Sequence, residues 1–123
     1  MIYDLEERVA KFGENIIIFC SKISRNDINK PLISQLVRSG TSIGANYMEA
    51  NQAASKKDFN NKIRISQKEA NETKYWIRMI SCSDNNLKSE CRVLWQEAHE
   101  LTLIFAKISS SDKKKKEVDE FKN

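Results

Sequence analysis

The sequence predicts an all-α protein built as an antiparallel up-down-up-down four-helix bundle. Three observations predict it. Apolar residues recur at steps of three and four over four long segments, and alternation at period two is absent over any useful length. The 123 residues hold only three Gly and one Pro, too few for a turn-rich β protein. The breaks between segments are short, and short connections between long helices favour antiparallel neighbours. A chain of this size with 40% apolar residues makes one core and leaves no room for a second domain. Residues 1–110 are assigned to the bundle and 111–123 to a polar tail.

The first helix carries Ile2, Leu5, Val9, Phe12, Ile16, Phe19 and Ile23 as an uninterrupted stripe. Ser24 to Lys30 is a polar break. Pro31 then fits the first helical position of the second helix, where its missing N–H costs nothing. That helix presents Ile33, Leu36, Val37, Gly40, Ile43, Gly44, Tyr47 and Ala50 on one side. Ser55 with Asp58 three residues on, just before Phe59, has the form of a capping box and starts the third helix. Its inner face is Phe59, Ile63, Ala70, Ile77 and Ile80. Ser83 to Asn86 is a turn. The fourth helix repeats the pattern with Leu87, Cys91, Leu94, Ala98, Leu101, Phe105 and Ile108. From Ser109 the chain turns polar, with four consecutive lysines followed by Glu117, Asp119 and Glu120, and reads as a disordered, solvating tail.

Several function classes drop out. No apolar run approaches the roughly 18 residues of a membrane span, and the first residues lack the build of a signal peptide, so a cytoplasmic protein without a membrane partner is expected. Cys20, Cys82 and Cys91 match no zinc or redox spacing and read as small apolar residues in a reducing compartment. With one histidine and no paired cysteines, neither a metal site nor a cofactor is expected. Gly40 and Gly44, one turn apart on the inward side of the second helix, mark a close helix crossing.

The net charge of +4 comes from one place. Residues 54–83 hold seven basic and three acidic side chains, and the rest of the chain balances. This is a modest bias, short of the basicity of a dedicated nucleic-acid protein. On a helical wheel Lys57, Asn61, Arg64, Lys68, Asn71, Tyr75, Arg78 and Cys82 share one outward band, with four cations and no acid. Lys57 to Arg78 spans about 30 Å, enough to follow several phosphates. Lys57, Arg64, Lys68 and Arg78 would contact phosphate, and Tyr75 would stack on a base. A plain solvated helix face accounts for the same pattern. Ile65, Trp76 and Met79 lie off the core centre of this helix and have two readings, a wide core seam or a subunit interface.

Arg92 and His99, seven apart, share a face of the fourth helix and resemble the ribonuclease pattern of the higher-eukaryote-and-prokaryote nucleotide-binding fold. His99 would handle a proton and Arg92 phosphate charge. Two residues with a loose gap match by chance often, and a lone surface histidine is the plainer account. No Gly-rich phosphate loop or nucleophilic triad is present, and the chain does not read as an enzyme.

The run Gln35-Leu36-Val37-Arg38-Ser39-Gly40-Thr41-Ser42-Ile43-Gly44-Ala45-Asn46-Tyr47-Met48-Glu49-Ala50 resembles the central signature of the four-helix-bundle family named for 23S rRNA intervening sequences. Glu69-Ala70-Asn71-Glu72-Thr73-Lys74-Tyr75-Trp76-Ile77 resembles its second signature. The resemblance spans the four helices and leaves out the tail. It implies a bacterial homopentamer arranged as a barrel around a central channel, with no established enzymatic activity. A related accessory protein of diversity-generating retroelements binds nucleic acid and a reverse transcriptase through basic surfaces. The resemblance moves Trp76 toward the interface reading, and Arg38, Glu49 and Glu72 toward structural polar contacts. The expected function is a non-catalytic homo-oligomer that binds RNA or single-stranded nucleic acid weakly through the third helix. The alternatives are an adaptor for a protein partner and a ribonuclease using Arg92 and His99.

Overall fold

The computed structural model describes the backbone of residues 4–122 and the side chains of residues 4–109. Four helices follow one another, α1 (Leu5–Ser21), α2 (Asn29–Asn51), α3 (Lys56–Ser83) and α4 (Lys88–Lys122), with a 3-10 turn at Asn85–Leu87 before α4. The described residues contain no strand. Asp4 caps α1 by accepting the Glu7 N–H at 3.0 Å, and Ser55 caps α3 by accepting the Asp58 N–H at 3.1 Å. α2 begins two residues earlier than Pro31 suggests. The Asn26 side chain accepts the N–H groups of Ile28 and Asn29 at 3.0 and 2.8 Å, so the helix starts at Asn29 and Pro31 falls third. Pro31 is tolerated because the first four N–H groups of a helix have no intrahelical partner.

Neighbouring helices run in opposite directions. Val9 and Ile16 of α1 face Gly44 and Gly40 of α2. Ser39 and Ile43 of α2 meet Thr73 and Ser66 of α3. Across the next seam Lys74 meets His99, and Ser81 meets Cys91. Arg8 and Lys22 of α1 pair with Glu97 and Glu90 of α4, which closes the up-down-up-down bundle. Contacts are densest where α3 meets α2 and α4, and thinnest between α1 and α4.

The apolar stripes meet on the bundle axis. Phe12, Ile16, Leu36, Ile43, Ile63, Ile77, Ile80, Leu101 and Phe105 are all but sealed from solvent. Phe59 and Tyr47 are half-buried at the margin, Tyr47 tilted against Phe105 at 5.8 Å. Ile2 lies outside the described residues, as do the side chains of the polar tail, through which the backbone of α4 continues to Lys122. The periodicity alone does not find the small polar residues of the α2–α3 seam. Ser39, Ser66 and Thr73 are fully buried. Ser66 donates to the Ile43 carbonyl at 3.0 Å. Thr73 donates to the Glu69 carbonyl at 2.7 Å, with its hydroxyl 3.0 Å from that of Ser39. Each polar atom has a partner, so the seam stays close without an unsatisfied group.

The glycines are unequal. A methyl group on Gly40 would stand 3.0 Å from both Cγ atoms of Ile16, itself fully buried and β-branched. On Gly44 it would meet Val9 at 3.5 Å, an ordinary contact, and on Gly13 the Gly40 carbonyl at 3.8 Å. Gly40→Ala therefore forces Ile16 out of place, a cost of about 1–3 kcal/mol that exceeds the gain of about 1 kcal/mol in helix propensity. Gly44→Ala keeps the gain. Urea denaturation is expected to show a lower midpoint for the first variant and a higher one for the second.

Cys20 and Cys91 are buried, but Cys82 is exposed, so only two of the three thiols act as small apolar residues. Burial pushes both buried thiols up to about 11, with the nearby Glu90 carboxylate adding to the effect at Cys91. Their thiolates are scarce below that pH. At pH 8 a disulfide reagent should label one cysteine rapidly, lose that reaction in Cys82→Ser, and reach the other two on denaturation.

Candidate nucleic-acid interface

The burial of Ile63, Ala70, Ile77 and Ile80 fixes the rotation of α3, and that rotation decides what it shows to solvent. Lys57, Asn61, Arg64, Lys68, Asn71, Tyr75, Arg78 and Cys82 are all exposed, in one line on the side opposite the core. Among the described residues no carboxylate pairs with Lys57, Arg64, Lys68 or Arg78. The lysines of α3 that lie nearer its neighbours are engaged instead. Lys62 pairs with Glu49 at 2.5 Å, and the Lys74 ammonium lies 3.2 Å from His99 Nδ1 and 5.2 Å from the Trp95 ring centre.

The acids of α3 are drawn to the other side. Arg38 of α2 reaches Glu69 at 3.1 Å and also pairs with Glu72, while its Nε donates to Gln35. Glu72 in turn accepts the Trp76 indole N–H at 2.9 Å, and Tyr75 meets Trp76 edge-on at 5.1 Å. One guanidinium thus ties both carboxylates to the α2 flank, and the chain of contacts ends at a Tyr75 ring that is 54% exposed beside the cations. Glu49 contacts Lys62 and not Arg38, so the polar contacts implied for these residues form two separate clusters.

Trp76 packs against the margin of the core, and Met79 is half-buried. Ile65 is exposed at 38%. The three therefore run from covered to open, with Trp76 tied to the α2 flank through Glu72. Arg92 is exposed on α4, whereas His99 is half-buried and stacked on Trp95 at 5.2 Å with the rings 14° apart. His99 is engaged by Lys74 and Trp95, and Arg92 lines a cavity that His99 does not. Sequence reasoning passes over Trp95 and Lys88, although Lys88, Arg92, Trp95 and His99 at steps of four, three and four mark one flank of α4.

The described residues hold no cluster of His, Cys, Asp and Glu fit for a metal ion, and no described helix is long and apolar enough to cross a membrane. No curated protein matches the chain. Its fold is similar to a crystal structure from Bacteroides thetaiotaomicron, a protein with unknown function from the S23 ribosomal protein family. The two share 30% identity with a TM-score of 0.75, over 85% of this chain and 96% of that one. The model of the 23S rRNA-intervening sequence protein family matches residues 4–102, the span from the α1 cap through most of the bundle, and the chain belongs to that family.

Proposed function

We propose that this protein is a non-catalytic homo-oligomer that holds RNA, or other single-stranded nucleic acid, along the outward stripe of α3. The observation that carries the reading is the unpaired state of Lys57, Arg64, Lys68 and Arg78. Four exposed cations on one straight element, with the helix's own Glu69 and Glu72 bound to Arg38 on another flank, form a track of one sign. Contacts of this kind go to phosphate and carry little sequence information, so binding is weak, general and sensitive to salt. Tyr75 adds a ring on which a splayed base can stack.

Each protomer offers only a few phosphate contacts, and repetition in an oligomer makes them act together. The resemblance to pentameric relatives and the exposed apolar side chain of Ile65 support a subunit contact along the α2 flank, with Trp76 and Met79 behind it. A second reading, a module for a protein partner, draws on the α1–α2 face. There Ile17 and Met48, each about half exposed, border an apolar cavity of ≈ 500 Å³ rimmed by Asp4, Glu6, Glu7 and Glu14.

Filter binding with a single-stranded RNA should give retention that falls steeply between about 50 and 200 mM salt. It should be lost in a Lys57/Arg64/Lys68/Arg78→Ala variant. No retention at low salt, or retention equal in the variant, leaves the adaptor reading in its place. Light scattering should give about 70 kDa, five times the 14.2 kDa protomer, and a smaller mass for Ile65→Asp. A monomer in the unsubstituted protein excludes the assembly.

A further inference from the structure

We propose that the cavity between the last turns of α3 and the first turns of α4 is a binding site for a nucleoside phosphate. It holds ≈ 440 Å³, and its wall includes Arg78 and Ser81 from α3 and Lys88, Arg92 and Trp95 from α4, with the Cys82 thiol at the same site. This volume falls within the range of small-ligand sites. The site lies at the end of the α3 stripe and shares Arg78 and Cys82 with it.

Charge comes first. Three cations converge on one concave surface whose lining contains no carboxylate. Among the described residues none of the three is paired with an acid. Two acids near the cavity, Glu90 and Asp84, both raise the Cys91 thiol of its wall but stay outside the lining, each with a partner of its own. Glu90 pairs with Lys22 of α1 at 3.2 Å, and Asp84 caps the turn by accepting the Asn86 N–H at 3.0 Å. Like charges held together by two rigid helices repel one another until an anion enters. Two guanidinium groups and an ammonium suit a phosphate dianion, the guanidinium as a planar fork and the ammonium as a point charge. Lys88 begins α4, so the positive end of that helix adds to the same field.

The second element is aromatic. Trp95 is 38% exposed and forms part of the wall. His99 is stacked on the indole and the Lys74 ammonium lies 5.2 Å from its ring centre, both outside the cavity lining, so the ring is held from two helices and meets the ligand with the part that lines the wall. A held indole in the same wall as three cations matches a ligand with a flat ring at one end and a phosphate at the other. Base-to-aromatic stacking is tolerant of base identity. The Ser81 hydroxyl provides a neutral partner for sugar or phosphate oxygen. This chemistry belongs equally to a free mononucleotide and to the 5′-phosphorylated end of an RNA.

The test uses the full chain carrying Lys57/Arg64/Lys68→Ala, which removes most of the stripe and leaves the cavity intact. Calorimetry with AMP, adenosine and inorganic phosphate gives affinities, and the rate of Cys82 modification reports occupancy at the cavity itself. AMP is expected to bind with a dissociation constant below about 1 mM, at least about tenfold tighter than phosphate or adenosine, and to slow Cys82 modification severalfold. Lys88→Gln with Arg92→Gln, both at exposed positions, should weaken AMP by about tenfold or more, and Trp95→Leu should erase the preference of AMP over phosphate. Protection of Cys82 by a 5′-phosphorylated RNA and not by AMP assigns the site to a chain end, and the reverse assigns it to a free nucleotide. Neither protecting, or AMP binding unchanged in the Lys88/Arg92 variant, overturns the proposal. Because three of the four stripe cations are absent throughout, that failure is separate from a failure of RNA binding along α3.

Discussion

The constraint that organises this molecule is that α3 is packed on two sides at once. α2 and α4 both lie along it, while α1 touches α4 only thinly. A helix gripped in two close seams cannot rotate, so the distribution of side chains around α3 is fixed. Toward α2 it offers Ser66, Ala70 and Thr73, small enough for close approach and able to satisfy their hydroxyls on Ile43, Glu69 and Ser39. Toward α4 it offers Ile77, Ser81 and Lys74, which meet the Cys91, Trp95 and His99 flank. What remains is one outward line, and the sequence fills it with cations, asparagines and a tyrosine.

Much of this was readable before any coordinates. The four helices, their order and nearly all apolar core positions follow from the three-and-four spacing, because burial selects for one apolar stripe per helix. The outward position of Lys57, Arg64, Lys68 and Arg78 follows from the same wheel, since the core face and the stripe lie on opposite sides of one helix. The start of α3 at Ser55 was readable, that of α2 less so. Asn26 caps α2 from outside the helix, and a proline at the third position mimics one at the first. The inequality of Gly40 and Gly44 was hidden for another reason. Both face α1, but only Gly40 lies against the branched side chain of Ile16, and that depends on the register of two helices distant in sequence.

The site was readable only as far as single helices carry it. Arg38 with Glu69 and Glu72, Lys62 with Glu49, and the Lys74–His99–Trp95 group each join two elements. A periodicity analysis treats each helix alone and assigns such residues to exposed faces. The same limit hid the cavity. Arg78 appears as the last cation of the α3 stripe and Arg92 as half of a loose pair with His99, yet Arg78 and Arg92 share one cavity wall while His99 turns to Trp95 and Lys74.

This division of labour bears on how far family membership reaches into function. The core of the bundle is set by buried apolar stripes on all four helices and by a close α2–α3 seam, the seam carried largely by residues inside the two signature-like runs. The outward line of α3 and the α3–α4 cavity lie on exposed positions, where substitutions away from special features change stability by less than about 0.5 kcal/mol. Such surfaces can gain or lose cations without disturbing the fold. A relative with the same architecture therefore certifies the scaffold and carries no information about the exposed side chains of α3 and α4. In this chain those positions hold cations without an acid partner among the described residues, beside Tyr75 on one surface and Trp95 on the other, and both proposals rest on that arrangement.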